Sequence, residues 1–120
     1  MKIKTSELTG PALDWAVAVA EGYTVDEGFW VTDPAAPVVG FPLSDYDPST
    51  DWAQGGPIIE RELICTCPTD SVYPGAPKWS ATDSPGACTE LGATPLVAAM
   101  RCYIASKFGD EVEIPQELLS

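Results

Sequence analysis

From Thr94 to Gly109 the chain carries a helix that can only be an interior one. Thr94 is a capping residue, Pro95 fills a first-turn position that needs no amide donor, and Leu96 to Phe108 runs without a breaker. Lys107 complements the negative end of the helix dipole, and Gly109 terminates it. Leu96, Val97, Ala99, Met100, Cys102, Tyr103, Ile104 and Phe108 spread round most of its circumference. A helix apolar on nearly every side must be mostly buried. With 120 residues the chain can build the core that buries it as one domain, 1–120.

The other elements are shorter, as twelve prolines and ten glycines in this length require. Met1–Ser6 alternates as a short edge strand or arm. A first helix starts at Thr9 or Gly10, with Pro11 in its first turn and Asp14 near the positive helix end. Leu13, Ala16, Val17 and Ala20 form its apolar stripe, Leu8 packs back on it, and Gly22 closes it. Phe29–Thr32 and Val38–Phe41 read as short strands, the second an edge strand between prolines. Ser44–Pro48 is a polar turn. A helix over Thr50–Leu63, capped by Ser49 or Thr50, carries Trp52, Gly56, Ile59 and Leu63 on one face. Pro57 is expected to kink it or divide it in two, because an interior proline costs about 3 kcal/mol. Ile64–Cys67 and Lys78–Thr82 read as strands across the Pro68–Pro77 loop, and Val112–Ile114 as a last strand before a polar tail. The pattern is α+β: a small, mostly antiparallel sheet covered by three helices.

Charge narrows the function classes. The net charge is −12, and the six cations Lys2, Lys4, Arg61, Lys78, Arg101 and Lys107 are scattered. Direct nucleic-acid binding, which draws on clustered Lys and Arg, is disfavoured. An acidic surface keeps a small protein soluble; it also suits a basic protein partner or imitates DNA. No secretory leader pattern opens the sequence, and the longest apolar stretch, Leu96–Met100, is far too short to span a bilayer. A reducing, cytoplasmic setting is therefore expected. Cys65, Cys67, Cys88 and Cys102 are expected as reduced, partly buried thiols. A zinc site is disfavoured, since Cys65-Thr66-Cys67 lacks the usual bite and the chain has no histidine.

The segment from Tyr46 to Glu62 reads as a recognition surface. It packs Tyr46, Ser49, Thr50, Asp51, Trp52, Gln54, Gly55, Gly56 and Arg61 into a few turns, a mixture no ordinary core element needs. Trp52 and Trp79, with Tyr46 and Tyr73 in adjoining turns, offer flat amphipathic faces for stacking. The bland alternative is that Trp15, Trp30, Trp52 and Trp79 fill the core; Trp52, among polar residues and glycines, fits that role worst. Arg101 lies midway along the apolar helix, where a charge must be paired. Asp51, Glu60 or Glu62 could pair it; the alternative is that Arg61 and Arg101 neutralise an anionic ligand, with donors from the helix start at Thr94.

Three blocks, Ser6–Ala18, Ser49–Glu60 and Thr94–Tyr103, resemble the phage NinX-like family of temperate tailed phages and prophages. The resemblance implies phage origin, expression in the host cytoplasm and kinship with α/β/α sandwich domains. It supplies no catalytic residues.

Catalysis is disfavoured by elimination. The chain has no histidine, nucleophile elbow, P-loop or dinucleotide fingerprint, and Asp51 and Glu60 are explained by capping and solvation. No cofactor is expected. Two classes stay open. One is a non-enzymatic binder of a nucleotide-like small molecule, such as a host defence signal that a phage would sequester. The other is an acidic protein-interaction or DNA-mimic adaptor for host or phage nucleic-acid machinery. A homo-oligomer is compatible with either, because pockets in small domains often form between subunits.

Overall fold

Helix α3 (Pro95–Phe108) lies at the centre, as its all-round apolar surface requires. The computed structural model describes residues 1–35, 40–69, 74–83, 86 and 88–119. Thr94 caps α3 through its side chain, which accepts from the Val97 amide at 3.1 Å. Leu96, Met100, Tyr103 and Ile104 are among its buried residues. Helices α1 (Gly10–Ala20) and α2 (Trp52–Glu62) both pack against it.

The strands are β1 (Lys2–Lys4), β2 (Thr24–Val25), β3 (Trp30–Thr32), β4 (Gly40–Pro42), β5 (Cys65–Pro68), β6 (Trp79–Thr82), β7 (Thr89–Gly92) and β8 (Glu111–Glu113). Among the described residues they form three antiparallel sheets, β1–β8, β2–β3–β4 and β5–β6–β7. The architecture is α+β as expected, but the single small sheet is corrected to three. Each three-stranded sheet is a meander of sequence neighbours, with α2 between the two in the chain, while β1 pairs with β8 near the other end of the chain. Expected strand residues Val38 and Val39 lie outside the described residues, as does Tyr73.

Sheet β5–β6–β7 lies on α3. Ala81 of β6 is fully buried, and Gly92 of β7 sits so close to the helix that a Cβ there would come 2.6 Å from the Ala98 nitrogen. Alternation then turns Cys65, Cys67, Ser80 and Thr82 to the opposite face. Cys65 and Cys67 are exposed, which corrects the expectation of partly buried thiols for that pair. Cys102 is buried, and burial pushes its thiol up to about 12. Maleimide labelling at neutral pH is expected to modify Cys65 and Cys67 rapidly and to reach Cys102 only on unfolding. Fast labelling of Cys102 in the native protein would contradict this burial.

Helix α2 is one continuous helix, not two. Pro57 stands inside it, and Pro57 and Ala53 are both on its exposed side, where water can satisfy the Ala53 carbonyl that Pro57 cannot reach. Its cap is Asp51, whose side chain accepts from the Ala53 amide at 2.9 Å. Ser49 and Thr50 belong to the preceding turn, closed by Thr50 and Asp51 amides on the Asp47 carbonyl. The buried positions are Gly55 and Ile58, so the inward face is rotated from the expected Trp52–Gly56–Ile59–Leu63 line. A Cβ on Gly55 would meet the Pro48 carbonyl oxygen at 2.4 Å and Leu96 Cδ2 at 2.6 Å. Gly55 is there for close packing, not for flexibility.

Candidate functional site

A cavity of about 550 Å³ opens between the start of α1, the Gly28–Phe29 turn and the chain from Pro42 to Thr50, with Leu118 at its edge. Pro11, Phe29, Leu43 and Leu118 give it apolar walls; Asp14, Tyr46, Asp47, Ser49 and Thr50 give it polar groups. The volume lies in the range typical of small-ligand sites, about 300–1,000 Å³.

Local chemistry holds each wall in place. The Asp26 side chain accepts from the amides of Gly28 and Trp30, both at 2.9 Å, and this tight turn forces Phe29 to φ 58°. A bulky side chain in left-handed backbone is strained by about 1–2 kcal/mol, and such strain concentrates at functional sites. The Leu43 amide donates to the Phe29 carbonyl at 2.8 Å, tying the two walls together. Gln54 staples the turn above them: its Oε1 accepts from the Asp47 amide at 2.6 Å and its Nε2 donates to the Asp45 carbonyl at 2.9 Å.

Asp14 is the centre of the site. Only 6% of it is exposed, and its Oδ1 accepts from the Ser49 amide at 3.0 Å. Burial pushes its carboxyl up to about 6; the Ser49 hydroxyl and amide pull against the rise, and the charge of Asp47 adds to it. Ser49 is 1% exposed, and its hydroxyl, though near Asp14, has no hydrogen bond of sound geometry among the described residues. A buried hydroxyl left unpaired costs about 1–3 kcal/mol. Tyr46 is buried against Tyr23 and Phe41, and burial drives its hydroxyl far above the ordinary tyrosine range.

A family model described as Bacteriophage P22, NinX matches residues 4–107. The chain belongs to this family. A search of curated proteins finds no match. The span shared with the NinX family includes every residue of the cavity wall except Leu118. Among the described residues no helix is long and apolar enough to cross a membrane.

Of the expected contact residues in this NinX-family chain, Tyr46, Ser49 and Thr50 line the cavity. The rest do not, and each has a local task or a different place. Asp51 caps α2, Gln54 braces the turn, Gly55 packs under Pro48, and Thr94 caps α3. Trp52 is 55% exposed on the outside of α2, close to Gly56. Trp79 packs on the core from β6. Arg61 is held by Glu21, with Nη1 and Nη2 donating at 3.0 and 2.6 Å, and by Glu62 at 2.8 Å. These bonds raise its already high pKa.

Arg101 pairs with none of Asp51, Glu60 and Glu62. Its Nε donates to the Leu8 carbonyl at 2.8 Å and its Nη1 to the Leu91 carbonyl at 2.7 Å, while burial lowers its pKa and Glu90 partly offsets that. Trp52, Arg61 and Arg101 therefore do not share a cavity. The two arginines are spent on long-range bonds that spacing along the chain cannot reveal, and Trp52 stands exposed on the outside of α2. Arg101→Met is expected to lower stability by about 2–3 kcal/mol, because two carbonyls lose a charged donor, while leaving ligand affinity unchanged. A urea titration measures it; unchanged stability would remove the structural role.

Sequence reasoning passed over Asp14, Phe29, Leu43 and Asp47. Asp14 did carry a signal: it is the one charged residue in the buried run from Ala12 to Ala18 of α1. A carboxyl set inside an apolar helix face calls for a partner or a purpose.

Proposed function

We propose that this phage protein is a non-enzymatic binding protein that takes a small, nucleotide-like molecule into the cavity beside Asp14 and so sequesters it in the host cytoplasm. The observation that carries the reading is a buried, ionisable carboxyl next to an unpaired buried hydroxyl in a cavity with apolar walls. Asp14 keeps Oδ2 for an incoming donor, and a cavity with apolar walls is favourable to fill. A carboxyl near 6 is also in the range of a general base. The groups around it favour binding instead, since the Ser49 hydroxyl is sealed from a substrate and the Tyr46 hydroxyl is held protonated. A phage setting makes a host defence signal a natural target.

Calorimetric titration with cyclic nucleotides and ADP-ribose derivatives tests the reading. Saturable heat with one of them is expected, and its loss on narrowing the cavity with Thr50→Trp. No heat with any member counts against it. The acidic adaptor reading draws on the charge of −12 and the exposed Trp52. Salt-sensitive capture of a basic host protein would favour it. The α/β/α layering implied by the family resemblance belongs to the proposal too: α3 covers one face of β5–β6–β7, and a second copy would complete the other. A native mass spectrum showing only monomer would exclude that arrangement.

A further inference from the structure

We infer that the cavity is the subsite for a neutral, N–H-bearing heterocycle such as a nucleobase, and that any phosphate of the same ligand stays outside it. This rests on the binding reading above and specifies which end of the ligand is buried.

Three observations carry it. The first is charge. Asp14 and Asp47 line the cavity, and none of the six cations of the chain does. Arg61 and Arg101, the cations that an anionic ligand would be expected to use, are already bonded to Glu21, Glu62 and two backbone carbonyls. A phosphate entering here would lose its hydration and face two carboxylates with nothing to offset them.

The second is hydrogen bonding. Asp14 uses Oδ1 for the Ser49 amide, which leaves Oδ2 for a donor. An ionised carboxylate only accepts, so its ligand must present N–H or O–H. The Ser49 hydroxyl is fully buried and out of a ligand's reach, so recognition falls to Asp14 Oδ2 alone. A ring edge that presents an N–H matches that acceptor.

The third is shape. Phe29, Pro11 and Leu43 offer flat or apolar faces, and Phe29 is held rigidly by its turn. A planar ring gains stacking and apolar burial against such a wall. A flexible sugar phosphate does not.

The test is calorimetric titration of the whole chain with adenosine, guanosine and cytidine, each beside its own 5′-monophosphate, repeated with Asp14→Asn and Phe29→Leu. At least one nucleoside should bind, with its monophosphate no more than about threefold tighter. Asp14→Asn should weaken that nucleoside by about tenfold, the equivalent of one good hydrogen bond. Phe29→Leu should weaken it severalfold, because it removes the flat face of the wall; it keeps the experiment decisive if Asp14→Asn does not fold. A monophosphate that binds tenfold or more tighter than its nucleoside overturns the inference and leaves the binding reading standing. Folded variants that keep full affinity also overturn it. If nucleosides, monophosphates and the earlier panel all fail to bind, the binding reading falls and takes this inference with it.

Discussion

Gly55→Ala is expected to destabilise the protein by about 3 kcal/mol, while Gly56→Ala, one residue along the same helix, leaves stability unchanged or raises it by up to about 1 kcal/mol. The two substitutions have the same helix propensity, so their difference isolates packing. At Gly55 the added carbon would stand 2.4 Å from the Pro48 carbonyl oxygen and 2.6 Å from Leu96 Cδ2. Pro48 is backbone on a turn braced by Gln54, and Leu96 is buried in the first turn of α3, so neither can step aside without moving an element. At Gly56 the nearest atom is Trp52 Cε3 at 4.0 Å, an ordinary contact. Urea unfolding of both variants reads the result directly. The Gly55 change should also weaken ligand binding, because Asp47, Ser49 and Thr50 flank the displaced Pro48 on the cavity wall. A wild-type midpoint for Gly55→Ala would mean that α2 does not lie against Pro48 and α3 as described.

Asp14→Asn should do the opposite in the ligand-free protein, raising stability at pH 7 by about 2 kcal/mol. The ordinary pKa of the group is 3.8, and burial lifts it to about 6 in the folded chain. The folded state therefore holds the Asp14 proton more tightly than the unfolded state does. The stability tied to that proton is complete below 3.8 and is lost as pH rises through about 6. The interval from 3.8 to about 6 corresponds to about 3 kcal/mol at most. Asparagine imitates the protonated form at every pH, and its carbonyl can still accept from the Ser49 amide. The gain should thus be present at pH 7 and vanish near pH 4, which thermal melts at the two pH values will separate. A variant less stable than the parent at pH 7 would show that the ionised carboxylate supports the fold. If instead the variant is more stable and fails to bind, Asp14 is a charge kept for function against the interest of stability.

The local elements were legible because their causes are local. Thr94, Pro95, Lys107 and Gly109 bracket α3 within a single stretch, and the apolar residues between them required burial. Pro11 and Gly22 marked α1 in the same way, and Cys65-Thr66-Cys67 alternated as a strand should. The family was legible too, from three blocks in order. Helix α2 was partly misread, since only the tertiary structure puts Pro57 on a wet face and Gly55 against Pro48.

The chain by itself determined α1, α3, the place of α2 and most of the short strands, though not β2 and β7, together with the acidic character and the kinship with phage NinX proteins. Tertiary structure alone decided where chemistry gathers. Asp14 and the Ser49 amide meet across 35 residues of chain, Arg61 and Glu21 across 40, and Arg101 and the Leu8 carbonyl across 93. Caps, turns and periodicity act over one or two helical turns, so they can be read in order along a sequence. Pairing between distant polar groups depends on how helices and sheets pack around a common core, and that information appears only once the chain has folded.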